Sequence, residues 1–432
     1  MSPDTLFPQG DAAETGEERR VSPDPRDEAA PVDPSLFEEM SVEPPFARAV
    51  LTTPLHLVTA LESRTNSWSV WNGYTVPDIF TNLGDEYRAL RGAVALFDIS
   101  PLVKYRISGR DAARYLDRLV TRDLSTLGVD RAVHVVFCES AGLVLGDGLL
   151  FRLDVDDYRL VTEETHLAWL LDSAGGLRVR VEDVSANIAA LSLQGPRSAF
   201  CLAEAGVPLV ADIMPFAARW ADIGGMPVYV SRTGATGDLG YELWCDTEDA
   251  PHVWRRLLET GAPHGLLPAG FALRELARLE AALPRAGRDY LSAFAAVDSA
   301  DALPPQAVWR SPRIDLARPL FNGGASLRRM GSVPPPRRIV PLVAGGLEPM
   351  RFGSVSLDGV FVGTATSTGF SPALGANIAL AIVDAVALDR SGLSVTAEIR
   401  EGLSVREIVL PARVSATPVW THPRRFGLPR LP

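Results

Sequence analysis

The spacing of apolar residues changes period repeatedly along this chain, and each change marks an element. Glu86–Leu96 carries apolar residues three and four apart and predicts a short amphipathic helix, whereas Val103–Ile107 alternates and predicts a strand. Ala112–Leu119 predicts a second helix, led by Gly109-Arg110-Asp111 with the Asp at the positive end of the helix dipole. Strands are predicted at Ala132–Phe137, Gly142–Leu153 and Tyr158–Thr162, the last two joined by the turn Asp154-Val155-Asp156-Asp157. A helix over Glu164–Ala174 and strands over Val179–Asp183 and Ile188–Leu193 follow, and Gln194-Gly195-Pro196-Arg197 opens a helix at Ser198–Glu204.

Tyr229–Trp244 reads as a strand, a turn and a returning strand, with Gly234, Gly237 and Gly240 in the connection. A plain hairpin needs fewer glycines, so close approach of a ligand is one reading and an ordinary long turn the other. Helices are predicted at Ala250–Glu259 and Phe271–Ala282. On the second, Arg274 and Arg278 share a face, as an anion clamp would need; a solvated charged face is the alternative. Prolines then break the pattern from Pro284 to Pro336, after which six short strands recur at hairpin intervals between Arg338 and Leu410. That last pattern predicts a small all-β domain.

Five segments result: an acidic, Pro-rich disordered tail at 1–45, an α+β region at 46–290, a connector at 291–336, a β domain at 337–415 and a loose tail at 416–432. With 432 residues, 47% of them hydrophobic, the chain can bury several cores. The net charge of -11 argues against a nucleic-acid surface, which needs clustered Lys and Arg. Small molecules are the expected partners. Cys138, Cys201 and Cys245 lie far apart, so neither a disulfide framework nor a metal site is expected, and a reducing cytoplasm fits. No apolar run reaches the ~20 residues of a membrane span.

The candidate chemistry centres on Gly146-Asp147-Gly148, a carboxylate inside an apolar run. Burying that charge without partners costs several kcal/mol, so Asp147 is either capped by backbone N–H groups or functional, and the flanking glycines would let a flat ligand approach. His134 is a general acid–base candidate or an ordinary strand histidine. Trp68, Trp71 and Tyr74 could wall a substrate pocket or pack a core.

Several motifs, in this order, resemble the aminomethyltransferase (glycine cleavage T-protein) family and its folate-dependent demethylase relatives: Ala95–Ser100, Gly142–Leu149, Leu191–Pro196, Thr236–Leu243, Arg274–Ala281 and Gly363–Gly375. The resemblance implies an α+β fold of three domains in a ring around a central opening, the first two interleaved over 46–290 and the third all-β and barrel-like. Tetrahydrofolate is the cofactor it implies. Asp147 then corresponds to the family's catalytic Asp, and Gly146 and Gly148 border the site. Glu242, with Tyr241 beside it, corresponds to the acid that hydrogen-bonds the pterin, and Arg278, with Arg274, to the arginine of the folate site.

Amino-donor enzymes carry two adjacent acids where this chain has Gly146-Asp147, and typically an Asn-like residue at Glu139 and a Tyr near His134. The Gly-Asp-Gly form is more similar to aromatic O-demethylases. The expected activity is therefore transfer of a methyl group from an O-, N- or S-methyl donor to N5 of tetrahydrofolate, with a lipoyl carrier protein not expected. The alternatives are an aminomethyltransferase of a glycine-cleavage type, and a non-catalytic folate-binding protein or biosynthetic enzyme on the same fold.

Overall fold

The computed structural model describes residues 50–298, 301–331, 333–346, 349–401 and 404–427; the expected tail at 1–45 lies outside them. The chain begins β1 (Leu51–Thr52), α1 (His56–Glu62), β2 (Ser67–Trp71), β3 (Tyr74–Ile79), α2 (Leu83–Gly92), β4 (Val94–Asp98), β5 (Val103–Ser108) and α3 (Ala112–Leu119). It continues β6 (Arg131–Cys138), β7 (Val144–Asp154), β8 (Asp157–Thr162), α4 (Leu167–Ser173), β9 (Arg180–Asp183), β10 (Ile188–Gln194) and α5 (Ser198–Ala205). Next come β11 (Ala218–Ile223), β12 (Met226–Ser231), β13 (Gly240–Asp246), α6 (Ala250–Gly261), β14 (Leu266–Pro268), α7 (Phe271–Glu280), α8 (Pro305–Val308) and α9 (Gly324–Met330). The strands β15 (Arg337–Ala344), β16 (Arg351–Leu357), β17 (Val360–Ser371), β18 (Ala376–Asp384), β19 (Leu393–Glu401) and β20 (Ser404–Val414) end it.

A five-stranded sheet in the order β6-β7-β8-β5-β9 and a six-stranded sheet in the order β11-β12-β13-β10-β4-β14 form the α+β part. The last six strands close into a barrel, as the hairpin spacing predicts. Phe151 from one sheet, Tyr229 and Trp244 from the other, Leu273 from α7, and Ile378 and Leu380 from the barrel share one buried cluster. Removing a buried aromatic such as Phe151 (0% exposed) would cost about 3–5 kcal/mol. No described helix is long and apolar enough to cross a membrane.

Helix α7 carries two site candidates, Arg274 and Arg278, and its start is pinned. The N–H of Gly270 donates to the buried carboxylate of Glu86 at 2.9 Å, and the same carboxylate accepts from Phe80 at 2.7 Å. Trp68–Pro77 forms the β2–β3 hairpin, turned by Asn72 and Gly73 at φ 50° and 80°, the signature of a type I′ turn. The connector is packed: Ala307, Val308, Phe321 and Leu327 are buried with Val136, Cys138 and Val144. One expectation needs correction: residues 416–427 are not a loose tail, because Trp420 stacks on Arg91 at 4.5 Å and donates to Asp238 at 3.1 Å, and Arg424 pairs with the same carboxylate.

Candidate active site

Strands β6 and β7 pair antiparallel with Val136 opposite Asp147 and His134 opposite Leu149, which makes His134 and Asp147 diagonal neighbours on one face. His134 Nε2 lies 2.7 Å from Asp147 Oδ2. The other carboxylate oxygen, Oδ1, accepts a hydrogen bond from the hydroxyl of Tyr290, the residue just before the connector. Burial, then the charge of Asp147 and the hydrogen bond to it, push that phenol well above its ordinary value of 10.0, so it stays protonated and donates. Trp309 braces both partners, with its ring centroid 5.6 Å from His134 and 5.4 Å from Tyr290.

The glycines beside Asp147 serve the protein's own packing. A Cβ at Gly146 would lie 2.5 Å from His166 Nε2 and 2.8 Å from the Phe137 ring, and one at Gly148 would overlap the carbonyl of Val161. Burial holds His166 down at about 4, against the opposing pull of Asp147, so it stands behind the strand as a neutral imidazole. The glycine-rich turn behaves alike. Side chains at Gly234 or Gly240 would collide with Gln194, and one at Gly237 would lie 2.5 Å from the Trp420 carbonyl. The glycines of the turn make room for Gln194 and the C-terminal segment, while Thr233, Gly234 and Ala235 also line the cavity described below.

Glu242 stands on the facing sheet. Thr233 Oγ1 donates to its Oε2 at 2.5 Å, and Oε1 has no hydrogen bond among the described residues. Burial raises this carboxyl above its ordinary 4.5, with the Thr233 hydrogen bond and the charge of Arg274 opposing. Tyr241 is a correction. Successive strand residues point to opposite faces, and its ring is fully buried in the core cluster with Trp254 and Leu243, away from Glu242.

Helix α7 presents Arg274 and Arg278, and the structure separates their roles. Arg274 pairs with Glu163 and lies 4.1 Å over the Trp71 ring. Arg278 places its five N–H donors within the protein: Nε and Nη2 on Glu275 at 3.1 and 2.8 Å, Nη1 on Asp289 at 2.6 Å and the Leu283 carbonyl at 3.2 Å, and Nη2 also on Ser367 at 2.7 Å. That set ties α7 to the connector and the barrel and leaves no donor for a ligand. Two other cations reach the site. Arg285 pairs with Glu275 at 3.6 Å but keeps a buried, unpartnered Nε, and Arg425 forms no ion pair among the described residues. Burial lowers both guanidinium pKa values, with Glu275 and Glu163 opposing at Arg285.

All these walls bound one cavity of about 310 Å³, reached by His134, Asp147, Glu242, Arg274, Arg278, Arg285 and Arg425. That size suits a small-molecule site. The aromatic trio does not line it: Trp68 stacks on His56 at 5.2 Å outside, Trp71 backs Arg274 and donates to Glu163 at 3.1 Å, and Tyr74 pairs with Trp71 in the hairpin. Phe216, Trp244 and Trp309 put aromatic rings on the cavity beside the His134 imidazole.

Residues 57–300 match the GCVT N-terminal domain, and residues 337–420 match the glycine cleavage T-protein C-terminal barrel domain. The chain belongs to the aminomethyltransferase (glycine cleavage T-protein) family. It is an enzyme of that one-carbon transferase class. The aminomethyltransferase of Bacillus pumilus (strain SAFR-032) is 31% identical over 361 residues, covering 81% of this chain and 93% of that protein. That of Bacillus subtilis (strain 168) is 32% identical over 350 residues, covering 78% and 92%. The crystal structure of glycine cleavage system aminomethyltransferase T from Bartonella henselae superposes with a TM-score of 0.72 at 24% identity, over 84% of this chain and 97% of that one, which shows the shared fold.

Within this family frame, Tyr290, Trp309, Arg285, Arg425 and Thr233 are site residues that the sequence pattern does not reveal. The first three sit at or in the Pro-rich connector and Arg425 in the tail, where no period marks a face. Only Thr233 carried a signal, as the residue opening the glycine-rich turn before Glu242.

Proposed function

We propose that this enzyme transfers a one-carbon unit between a donor and tetrahydrofolate held in the central cavity, and that the unit is an aminomethyl group. The observation that carries the reading is Glu242, whose Oε2 is held by Thr233 while its Oε1 has no hydrogen bond within the described protein. Such a carboxylate can accept N–H donors from the amino-pyrimidine edge of a pterin. The orphaned Nε of Arg285 and the unpaired Arg425 supply cations for a glutamate tail, so the donor set fits the molecule. Asp147 and His134, on the same cavity, supply the carboxylate and imidazole for the reacting end.

The curated relatives are aminomethyltransferases, which favours the aminomethyl unit over the methyl unit expected from the sequence. The donor then arrives on a lipoyl carrier protein, a partner the sequence pattern had argued against. One observation keeps methyl transfer as the second reading. Gly146, where amino-donor enzymes place a second acid, has no room for any side chain against His166 and Phe137.

Anaerobic incubation with tetrahydrofolate and a donor panel tests this: an aminomethyl-loaded lipoyl carrier, methylated amines, methoxyaromatics and methylsulfonium compounds. The expected product is 5,10-methylenetetrahydrofolate from the loaded carrier. Formation of 5-methyltetrahydrofolate alone selects the second reading, and no folate product from any donor rejects both.

A further inference from the structure

The two oxygens of Asp147 are each committed, one to Tyr290 and one to His134. The histidine is the open end of this chain of three. Its side chain is 43% exposed against 18% for Asp147, it lines the cavity, and its Nδ1 has no partner among the described residues. Because Asp147 acts as an acceptor on both sides, the proton shared at 2.7 Å sits on His134 Nε2, which leaves Nδ1 to face whatever occupies the cavity. The arrangement has the logic of an oriented acid–base pair: a buried donor fixes a carboxylate, the carboxylate fixes an imidazole, and the imidazole meets the substrate.

From this geometry we infer that His134 is the proton-transferring residue of the reaction, that Asp147 and Tyr290 are its positioning residues, and that the donor is one whose departing heteroatom must take up a proton. The inference rests on the one-carbon transfer reading above. His134 Nδ1, bare in the resting ring, takes the proton that the accepting nitrogen sheds as its new bond to carbon forms. His134 then gives that proton to the departing atom, which keeps the bonding pair of the carbon bond that breaks. Each such exchange moves one proton from acceptor to leaving group: a methyl unit needs one exchange, and an aminomethyl unit, which bonds two folate nitrogens and sheds two heteroatoms, needs two, so no oxidant or metal enters the balance.

The surroundings hold the ring in place for this. The Nη1 of Arg122 donates to the His134 carbonyl at 2.9 Å, which fixes the backbone, and Trp309 covers one edge of the ring. Glu163, Glu164 and His166 flank Asp147 and Tyr290, and Arg285 faces them across the cavity. Burial raises the carboxyl of Glu164, with the charges of Glu163 and Asp147 adding to the rise and Arg285 opposing it, and the carboxylate within hydrogen-bond distance of the imidazole is Asp147.

Two measurements test the inference. Nitrogen NMR of the free protein, at a pH where the ring is neutral, should show His134 with its proton on Nε2 and a bare Nδ1, and Tyr290→Phe should move that signal. A proton on Nδ1, or a signal indifferent to Tyr290→Phe, overturns the positioning roles. In the turnover assay, His134→Ala should lower kcat by about 100-fold or more with the tetrahydrofolate dissociation constant unchanged, and added imidazole should restore part of the rate. Full turnover in His134→Ala, or loss with no rescue, overturns the proton-transfer role. A wild-type chain that binds no tetrahydrofolate fails the function reading instead, while the NMR result still decides the Tyr290–Asp147–His134 arrangement.

Discussion

Arg278 donates to Asp289 across 2.6 Å, and the two side chains are 5% and 0% exposed. The pair joins α7 to the connector, and Asp289 also accepts from Thr366 and Ser367 of the barrel at 2.6 Å each. Arg278 is therefore a fastener between parts of the fold, where its motif had suggested a ligand contact.

Arg278→Ala should accordingly lower stability by about 3–5 kcal/mol, because it strands a buried carboxylate. Urea unfolding measures this. Arg285→Ala, which removes a cavity cation whose one ion pair, to Glu275, is long at 3.6 Å and whose Nε is unpartnered, should cost clearly less stability than Arg278→Ala and weaken tetrahydrofolate binding. The reverse assignment of the two effects would mean that Arg278 is the ligand contact after all.

Glu242 gives a prediction in pH. Its carboxyl is raised above 4.5 by burial, so the proton favours the folded state. That contribution is fully present below the ordinary value and disappears as pH rises through the raised one. At neutral pH the free chain holds an under-partnered carboxylate, and Glu242→Gln should raise its melting temperature there, with the gain vanishing near pH 4. The same change should weaken tetrahydrofolate binding. A melting temperature lowered equally at both pH values would show that the carboxylate is satisfied inside the protein.

The C-terminal segment should matter to both fold and site. Trp420 covers Arg91, which pairs with the buried Glu280 at 2.5 Å, and five residues on Arg425 enters the cavity. Trp420→Ala should lower the melting temperature by several degrees and weaken tetrahydrofolate binding, since losing a packed aromatic costs about 3 kcal/mol. A variant with the melting temperature of the parent would show that the segment carries no load.

Local period made much of the fold legible. Ala112–Leu119 is the helix its pattern predicts, and the six barrel strands lie where alternation places them, because each depends on residues a few positions apart. The β2–β3 hairpin was legible too, through Asn72-Gly73, but the density of Trp68, Trp71 and Tyr74 drew attention to a pocket instead. The site divided differently. Asp147, Glu242 and Arg274 reach the cavity from segments that motif order singles out, whereas Tyr290 and Arg425 arrive through contacts 143 and 193 residues apart in sequence, which no local pattern encodes. Arg278 and the turn glycines misled for a related reason: their partners, Asp289, Gln194 and Trp420, lie outside the motif that carries each of them and consume the side chain or the space.

An Asp147→Asn substitution should keep tetrahydrofolate binding within a few-fold and lower kcat by about 100-fold or more, because the amide turns a donor toward either His134 or Tyr290 and breaks the alignment. Steady-state kinetics beside equilibrium binding would check it. Near-normal turnover with a lower melting temperature would make Asp147 a structural carboxylate.

The central claim, that the cavity between Asp147 and Glu242 holds tetrahydrofolate, is tested most directly by titration calorimetry of tetrahydrofolate into the parent chain and into Glu242→Ala. Saturable binding to the parent is expected, weakened about 10- to 100-fold in the variant, which corresponds to the loss of charge-assisted hydrogen bonds worth ~1.5–3 kcal/mol. Equal dissociation constants in a folded variant, or no binding to the parent, would contradict it.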